Sequence, residues 1–197
     1  MQFKKLGNTD IKVSLICLGT MTWGEQNSKE EAFAQMDFAL DNGINFFDTA
    51  ELYAVPPKKE TYGLTEKYIG EWFNKKKNRE KIILASKVAG KSGMTWLRDE
   101  KTCLDKKHIT KALEESLKRL QTDYIDLYQL HWPDRKTNFF GQLGYQHDEN
   151  DNSIPLEETL SILDDLVKQG KIRYIGISNE TAWGAMKLIE IAKEKNF

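Results

Sequence analysis

The sequence predicts an α/β fold of the (β/α)8-barrel type, and three observations carry that reading. Strand-like and helix-like patterns alternate along the chain after one initial hairpin, which means a parallel sheet with crossover helices. Strand-like segments run into residues capable of proton chemistry: Ile44–Phe47 into Asp48, with Tyr53 close behind it, Lys81–Ser86 into Lys87, and Tyr124–Leu130 into His131. In a closed parallel barrel all strand C-termini share one face, and active sites sit there. The third observation is an absence. Leu18-Gly19-Thr20-Met21-Thr22-Trp23-Gly24 lacks the G-x-G-x-x-G turn that an open dinucleotide-binding sheet places after its first strand.

The elements follow in order. Residues 2–18 read as two short strands around the turn cluster Gly7-Asn8-Thr9-Asp10, the second of them, Val13–Leu18, apolar enough to be buried on both faces. Ser28-Lys29-Glu30-Glu31 has the capping-box form, so a helix starts there; Ala32, Met36, Ala39 and Leu40 face inward and Gly43 stops it. The strand into Asp48 is followed by a loop over 54–62. A helix over Leu64–Lys77 puts Tyr68, Ile69, Trp72 and Phe73 on one face. The strand into Lys87 is followed by an aperiodic loop over 88–104. Asp105 caps a helix with Ile109, Leu113, Leu117 and Leu120 inward, and the strand into His131 comes next. A long loop spans 133–154, and long loops in compact domains are usually functional or mobile. Pro155 suits a first helical position, and that helix ends at Gly170. A strand within Lys171–Ser178 and a helix over Thr181–Lys195 complete the series. Eight βα units take ~250 residues, whereas this chain of 197 residues holds five. It reads as a single partial domain over residues 1–197, truncated after the fifth βα unit, with an N-terminal β-hairpin.

Composition narrows the function classes. The net charge is -1, and Lys75-Lys76-Lys77, the longest basic run, reads as a solvated helix end, so charge supports neither nucleic-acid nor membrane binding. The two cysteines, Cys17 and Cys103, fit neither a metal site nor a disulfide framework; Cys17 lies in an apolar strand pattern and reads as core. The start is not a signal peptide and no apolar stretch is long enough to span a bilayer, which makes a reducing cytoplasm the default location. His108 and His147 have no partner at ligand spacing and receive no function. Trp23, Trp96 and Trp132 are candidates for an apolar substrate pocket, with core or loop packing as the equal alternative.

Five motifs in series then carry a resemblance: Gly19-Thr20-Met21-Thr22-Trp23-Gly24, Asn45-Phe46-Phe47-Asp48-Thr49-Ala50-Glu51-Leu52-Tyr53, Ser86-Lys87-Val88, the run Ser116–His131, and Gly176-Ile177-Ser178-Asn179. In this order they resemble the aldo-keto reductases over the whole chain. The insertion Val55–Thr61 and the phrase His131-Trp132-Pro133 resemble the bacterial Tas-type branch. The resemblance implies a barrel that reduces aldehyde and ketone carbonyls with a nicotinamide cofactor, NADPH in preference to NADH, and no metal. It implies Tyr53 as general acid. Free tyrosine ionises near pH ~10, and a neighbouring cation favours its anion; the resemblance assigns that cation to Lys87. Asp48 is the acid that pairs with the lysine, and His131 the donor that orients the substrate carbonyl. Thr22, Asp48, Ser178 and Asn179 fall at cofactor positions, Ser178 and Asn179 on the nicotinamide carboxamide.

Taken singly, each residue also has a bland reading: loop packing for the tyrosine, a solvated strand end for the lysine, a satisfied buried ring for His131. Single motif matches mislead, and it is the shared placement at strand ends that reverses the balance. Nothing in the sequence matches the family's strand six or the loops that bind pyrophosphate and the adenosine 2′-phosphate, so NAD is not distinguished from NADP. The chain on its own is expected to be inactive and to associate through open barrel edges. A non-catalytic scaffold of the same family is the alternative, and a barrel hydrolase with paired carboxylates ranks last, because only Asp48 sits at a strand end.

Overall fold

The computed structural model describes residues 1–98 and 100–197. It opens with an antiparallel hairpin, β1 (Phe3–Lys5) and β2 (Lys12–Ser14), in which Phe3 lies opposite Ser14. Five parallel strands follow in sequence order: β3 (Cys17–Gly19), β4 (Phe46–Asp48), β5 (Ile83–Val88), β6 (Ile125–Leu130) and β7 (Ile172–Ile177). Helices α1 (Lys29–Asp41), α2 (Leu64–Lys76), α3 (Lys106–Leu120) and α4 (Leu156–Lys168) form the crossovers, and α5 (Ala182–Lys195) follows β7. The fold is an arc of the α/β-barrel type. Among the described residues its edges are β3 and β7, each paired on one side only.

Local chemistry accounts for most element boundaries. Ser28 Oγ accepts the Glu31 N–H at 3.2 Å while Glu31 Oε2 accepts the Ser28 N–H at 2.8 Å, closing the capping box of α1. Asp105 caps α3 and Thr181 caps α5 through their side chains. Pro155 lies one place before the predicted position: it is the N-cap of α4, and the helix begins at Leu156. The main core lies between the outer face of the sheet and the helices, with Met36, Phe47, Trp72, Leu84, Leu113 and Tyr128 fully buried. There α2 and α3 approach so closely that a Cβ on Gly70 would lie 2.1 Å from the Arg119 carbonyl oxygen. At the opposite end from the His131 side, buried Asp126 accepts from Arg79 at 2.9 Å, from Arg173 at 2.8 Å and from the Leu84 N–H at 2.9 Å, pinning three elements together.

The predicted strand over Val13–Leu18 is not one strand. It divides between β2 and β3, with a bend at Leu15 and Ile16 where Ser14 Oγ donates to the Ile16 carbonyl. Asn45 braces the bend: its Oδ1 accepts the Ser14 N–H at 2.8 Å and its Nδ2 donates to the Lys12 carbonyl at 3.0 Å. Burial on both faces also fails here. Leu15 is 51% and Ile16 55% exposed, and Cys17 is exposed rather than core. Leu15 and Ile16 lie in the bend, outside either strand, and Cys17 lies on β3, an edge whose outer side pairs with no strand among the described residues. Among the described residues, no helix is long and apolar enough to cross a membrane.

Candidate active site at the strand ends

Register places the site. Asp48 lies opposite Gly19 and Ala85, Lys87 opposite Gln129, and Gln129 opposite Gly176, so these positions share the inward face at the C-terminal end of the sheet. His131 follows β6 directly, its N–H donating to the Val88 carbonyl at 2.9 Å. Tyr53 comes from the loop after β4, which folds back over the end of β5.

Lys87 is the hub. Its buried ammonium donates to Asp48 Oδ2 at 2.6 Å, to the Thr49 carbonyl at 2.8 Å and to the Tyr53 hydroxyl oxygen at 3.2 Å. Its three donors are thereby used. Because the phenol oxygen accepts from Lys87, its own proton is left for another acceptor. A cation held there stabilises negative charge that develops when that proton leaves. Asp48 is half-buried; its second oxygen accepts from Gln129 Nε2 at 3.2 Å. The ion pair and its brace therefore come from three adjacent strands.

The His131 ring meets the Tyr53 ring edge-on at 5.6 Å. His131 is 6% exposed, and among the described residues its Nδ1 has no hydrogen-bond partner. Burial, and then the Lys87 ammonium, push its pKa down to about 3. The ring is neutral at ordinary pH and carries one N–H. A phenol and a neutral imidazole thus lie side by side.

The candidate cofactor residues also lie at strand ends. Ser178 N–H donates to the Leu130 carbonyl at 2.8 Å, and Asn179 Nδ2 donates to the His131 carbonyl at 2.8 Å and to Ser178 Oγ at 3.1 Å. Asn179 has a left-handed φ of 51°, which turns the chain between β7 and α5. Thr22 lies in the turn after β3 and donates to Asn27 Oδ1 at 2.7 Å. Ser178 and Asn179 adjoin His131 directly; Thr22 is held in a turn of its own.

The tryptophans divide. Trp23 is fully buried in the main core and donates to Gln35 at 2.9 Å, so it is a packing residue. Trp132 adjoins the His131 ring, 5.1 Å between centroids, and belongs to a small apolar cluster with Leu52, Ala89 and Leu97. Trp96 packs on the edge of that cluster against Tyr62. His108 is a correction: it does have partners. Its Nδ1 lies 2.7 Å from Asp105 Oδ1 and 3.2 Å from Cys103 Sγ, and the same Asp105 oxygen accepts the His108 N–H at 2.8 Å. Those three residues form a hydrogen-bonded helix cap.

Sequence reasoning missed Gln129 and the buried pair Glu51–Arg98 beside the site. Gln129 carried a signal, since it lies two places after Leu127 and two before His131, and alternation along the strand turns it to the barrel interior. Glu51 and Arg98 carried none, because a charged side chain in a loop is ordinarily solvated.

Comparison with known proteins identifies the family and the fold. Residues 15–197 match the model of the Aldo/keto reductase family. The chain is 51% identical over 194 residues to Protein tas of Escherichia coli strain K12, covering 98% of this chain and 56% of that protein. It is 39% identical over 206 residues to the uncharacterized oxidoreductase YrpG of Bacillus subtilis strain 168, covering 100% of this chain and 55% of the relative. Among solved structures, the thermostable aldo-keto reductase Tm1743, crystallised with the inhibitor epalrestat, superposes with a TM-score of 0.73 at 33% identity, over 97% of this chain and 58% of that one. The chain thus spans little more than half the length of the curated relatives it matches.

Proposed function

Since the chain belongs to the aldo/keto reductase family, we propose that it carries the proton-transfer half of a carbonyl reductase site that reduces aldehydes or ketones with NADPH. One observation carries the reading: the Lys87 ammonium bridges the Asp48 carboxylate and the Tyr53 hydroxyl oxygen, at 2.6 and 3.2 Å. A non-catalytic scaffold has no need of a phenol whose oxygen is held by a buried cation and whose proton is free.

The residues act as follows. A bound reduced nicotinamide would be the source of the hydride. Tyr53 gives its hydroxyl proton to the carbonyl oxygen, and Lys87 stabilises the oxygen anion left on the ring. Asp48, held by Gln129, keeps Lys87 in place. The neutral His131 ring donates its N–H to the carbonyl oxygen and orients it. Ser178 and Asn179 suit the nicotinamide carboxamide: among the described residues, the Ser178 hydroxyl proton and Asn179 Oδ1 have no protein partner, and a donor beside an acceptor complements an amide.

The affinity of this chain alone is a separate matter. Its sheet is open at β3 and β7, and apolar side chains around the β7 edge, including Ile177 and Ile189, are exposed. We therefore expect the 197 residues by themselves to bind NADPH weakly, to turn over negligibly and to associate through those edges. The test joins the chain to the remaining portion of its Escherichia coli relative and follows reduced-nicotinamide absorbance with a panel of aldehydes and ketones, using NADPH and NADH. Carbonyl-dependent oxidation of NADPH supports the reading; its absence over the whole panel, with cofactor binding shown by titration, overturns it.

A further inference from the structure

Behind Tyr53 and Lys87 lies a buried charge that the proton-transfer chemistry does not use. The Glu51 side chain is 0% exposed. Its backbone N–H donates to the Lys87 carbonyl at 3.2 Å, and its Oε1 accepts the Ala89 N–H at 2.6 Å. Glu51 thus precedes Tyr53 by two places on one loop and grips the residues at and just after Lys87 on the neighbouring strand. Both of its oxygens accept from Arg98 Nη1 at 2.6 Å, and Arg98 is also fully enclosed. Tyr62 Oη donates to Glu51 Oε2 at 3.4 Å, and the next residue, Gly63, donates its N–H to the Tyr53 carbonyl at 3.0 Å. Burial, and then the Glu51 charge, raise the Tyr62 pKa, so that phenol keeps the proton it donates.

A surface salt bridge would carry little meaning, but this pair is desolvated, and a buried charge is tolerated only where its partners are fixed. The loop bearing the proton donor and the strand bearing its cation are laced together through one carboxylate. We propose that Glu51 is a positioning residue that sets the Tyr53–Lys87 contact, with Arg98 supplying the counter-charge that lets the carboxylate stay buried. Its catalytic meaning rests on the carbonyl-reductase reading; its geometric content does not.

The experiment reads geometry in the 197-residue chain, without turnover. Lys87 and Tyr53 are acetylated under native conditions, and the rate at each site is followed by mass spectrometry, with the fully buried Tyr128 as an internal control for the fold. Glu51→Ala is expected to raise modification at both Lys87 and Tyr53 about tenfold or more, the scale of a lost charge-assisted hydrogen bond, while Tyr128 stays protected. The paired variant Glu51→Gln with Arg98→Met keeps an acceptor for Ala89 N–H and removes both charges, and is expected to restore protection. Unchanged rates at Lys87 and Tyr53 in Glu51→Ala overturn the inference. So does loss of Tyr128 protection in both variants, because the pair would then only hold the fold together. Failure of the reductase reading would appear elsewhere, as no turnover in the completed barrel with the labelling pattern intact.

Discussion

Lys87 donates to the hydroxyl oxygen of Tyr53 across 3.2 Å, so within the protein the phenol acts as an acceptor and its proton remains unspent. Thr49 and Asp48 take the other two ammonium protons. The cation cannot swing away without leaving the buried Thr49 carbonyl unsatisfied. On the proposed reading, that fixed contact serves the proton donor.

On the proposed reading, Tyr53→Phe in the completed barrel removes the proton donor and little else. General acid catalysis contributes about 10²–10⁴-fold, so the turnover number is expected to fall by at least that order with cofactor affinity nearly unchanged. Steady-state kinetics and cofactor titration check both halves. Full turnover in the variant would show that another group supplies the proton.

His131 links stability to pH. Its pKa is about 3 in the folded chain against an ordinary value of 6.5, so between those values the unfolded chain binds more protons than the folded one. Its contribution is complete above pH ~6.5 and is lost as pH falls toward ~3, at up to about 1.4 kcal/mol per pH unit. In His131→Phe this acid limb should flatten. Denaturant midpoints across pH measure it, and an unchanged slope in the variant would assign the acid loss to other groups.

Gly70→Ala tests the α2–α3 contact. The added Cβ would lie 2.1 Å from the Arg119 carbonyl oxygen and 2.7 Å from the Leu120 carbonyl carbon, both backbone atoms that cannot step aside. Overpacking of this kind costs about 1–3 kcal/mol or more, and each kcal/mol lowers the melting temperature of a chain this size by about 2–4 °C. Calorimetry of the variant should show the drop despite alanine's higher helix propensity.

The open edges should make the chain associate. Met186 is 66% and Ile189 50% exposed on α5 beside β7, and Leu15 and Ile16 are exposed beside β3. Light scattering should show mass rising with concentration, and Met186→Lys with Ile189→Lys should reduce it. A monomer at every concentration would count against association through these surfaces.

The order of elements, the caps at Ser28 and Asp105 and the placement of Asp48, Lys87 and His131 at strand ends were determined by the sequence itself, because each rests on local signals: apolar periodicity, a capping side chain, a breaking glycine. Even the parallel sheet follows, since hairpins cannot join strands separated by helices. What only the tertiary structure decided depends on contacts between distant residues. Gln129 reaches Asp48 across 81 positions, and Arg98 reaches Glu51 across 47. No periodicity encodes such pairs, because a charged loop residue looks solvated until a partner from another loop encloses it. The exposure of Leu15, Ile16 and Cys17 was hidden for the converse reason: an apolar pattern states that a strand can be buried, while a side-chain-braced bend and the number of neighbours in the sheet decide whether it is.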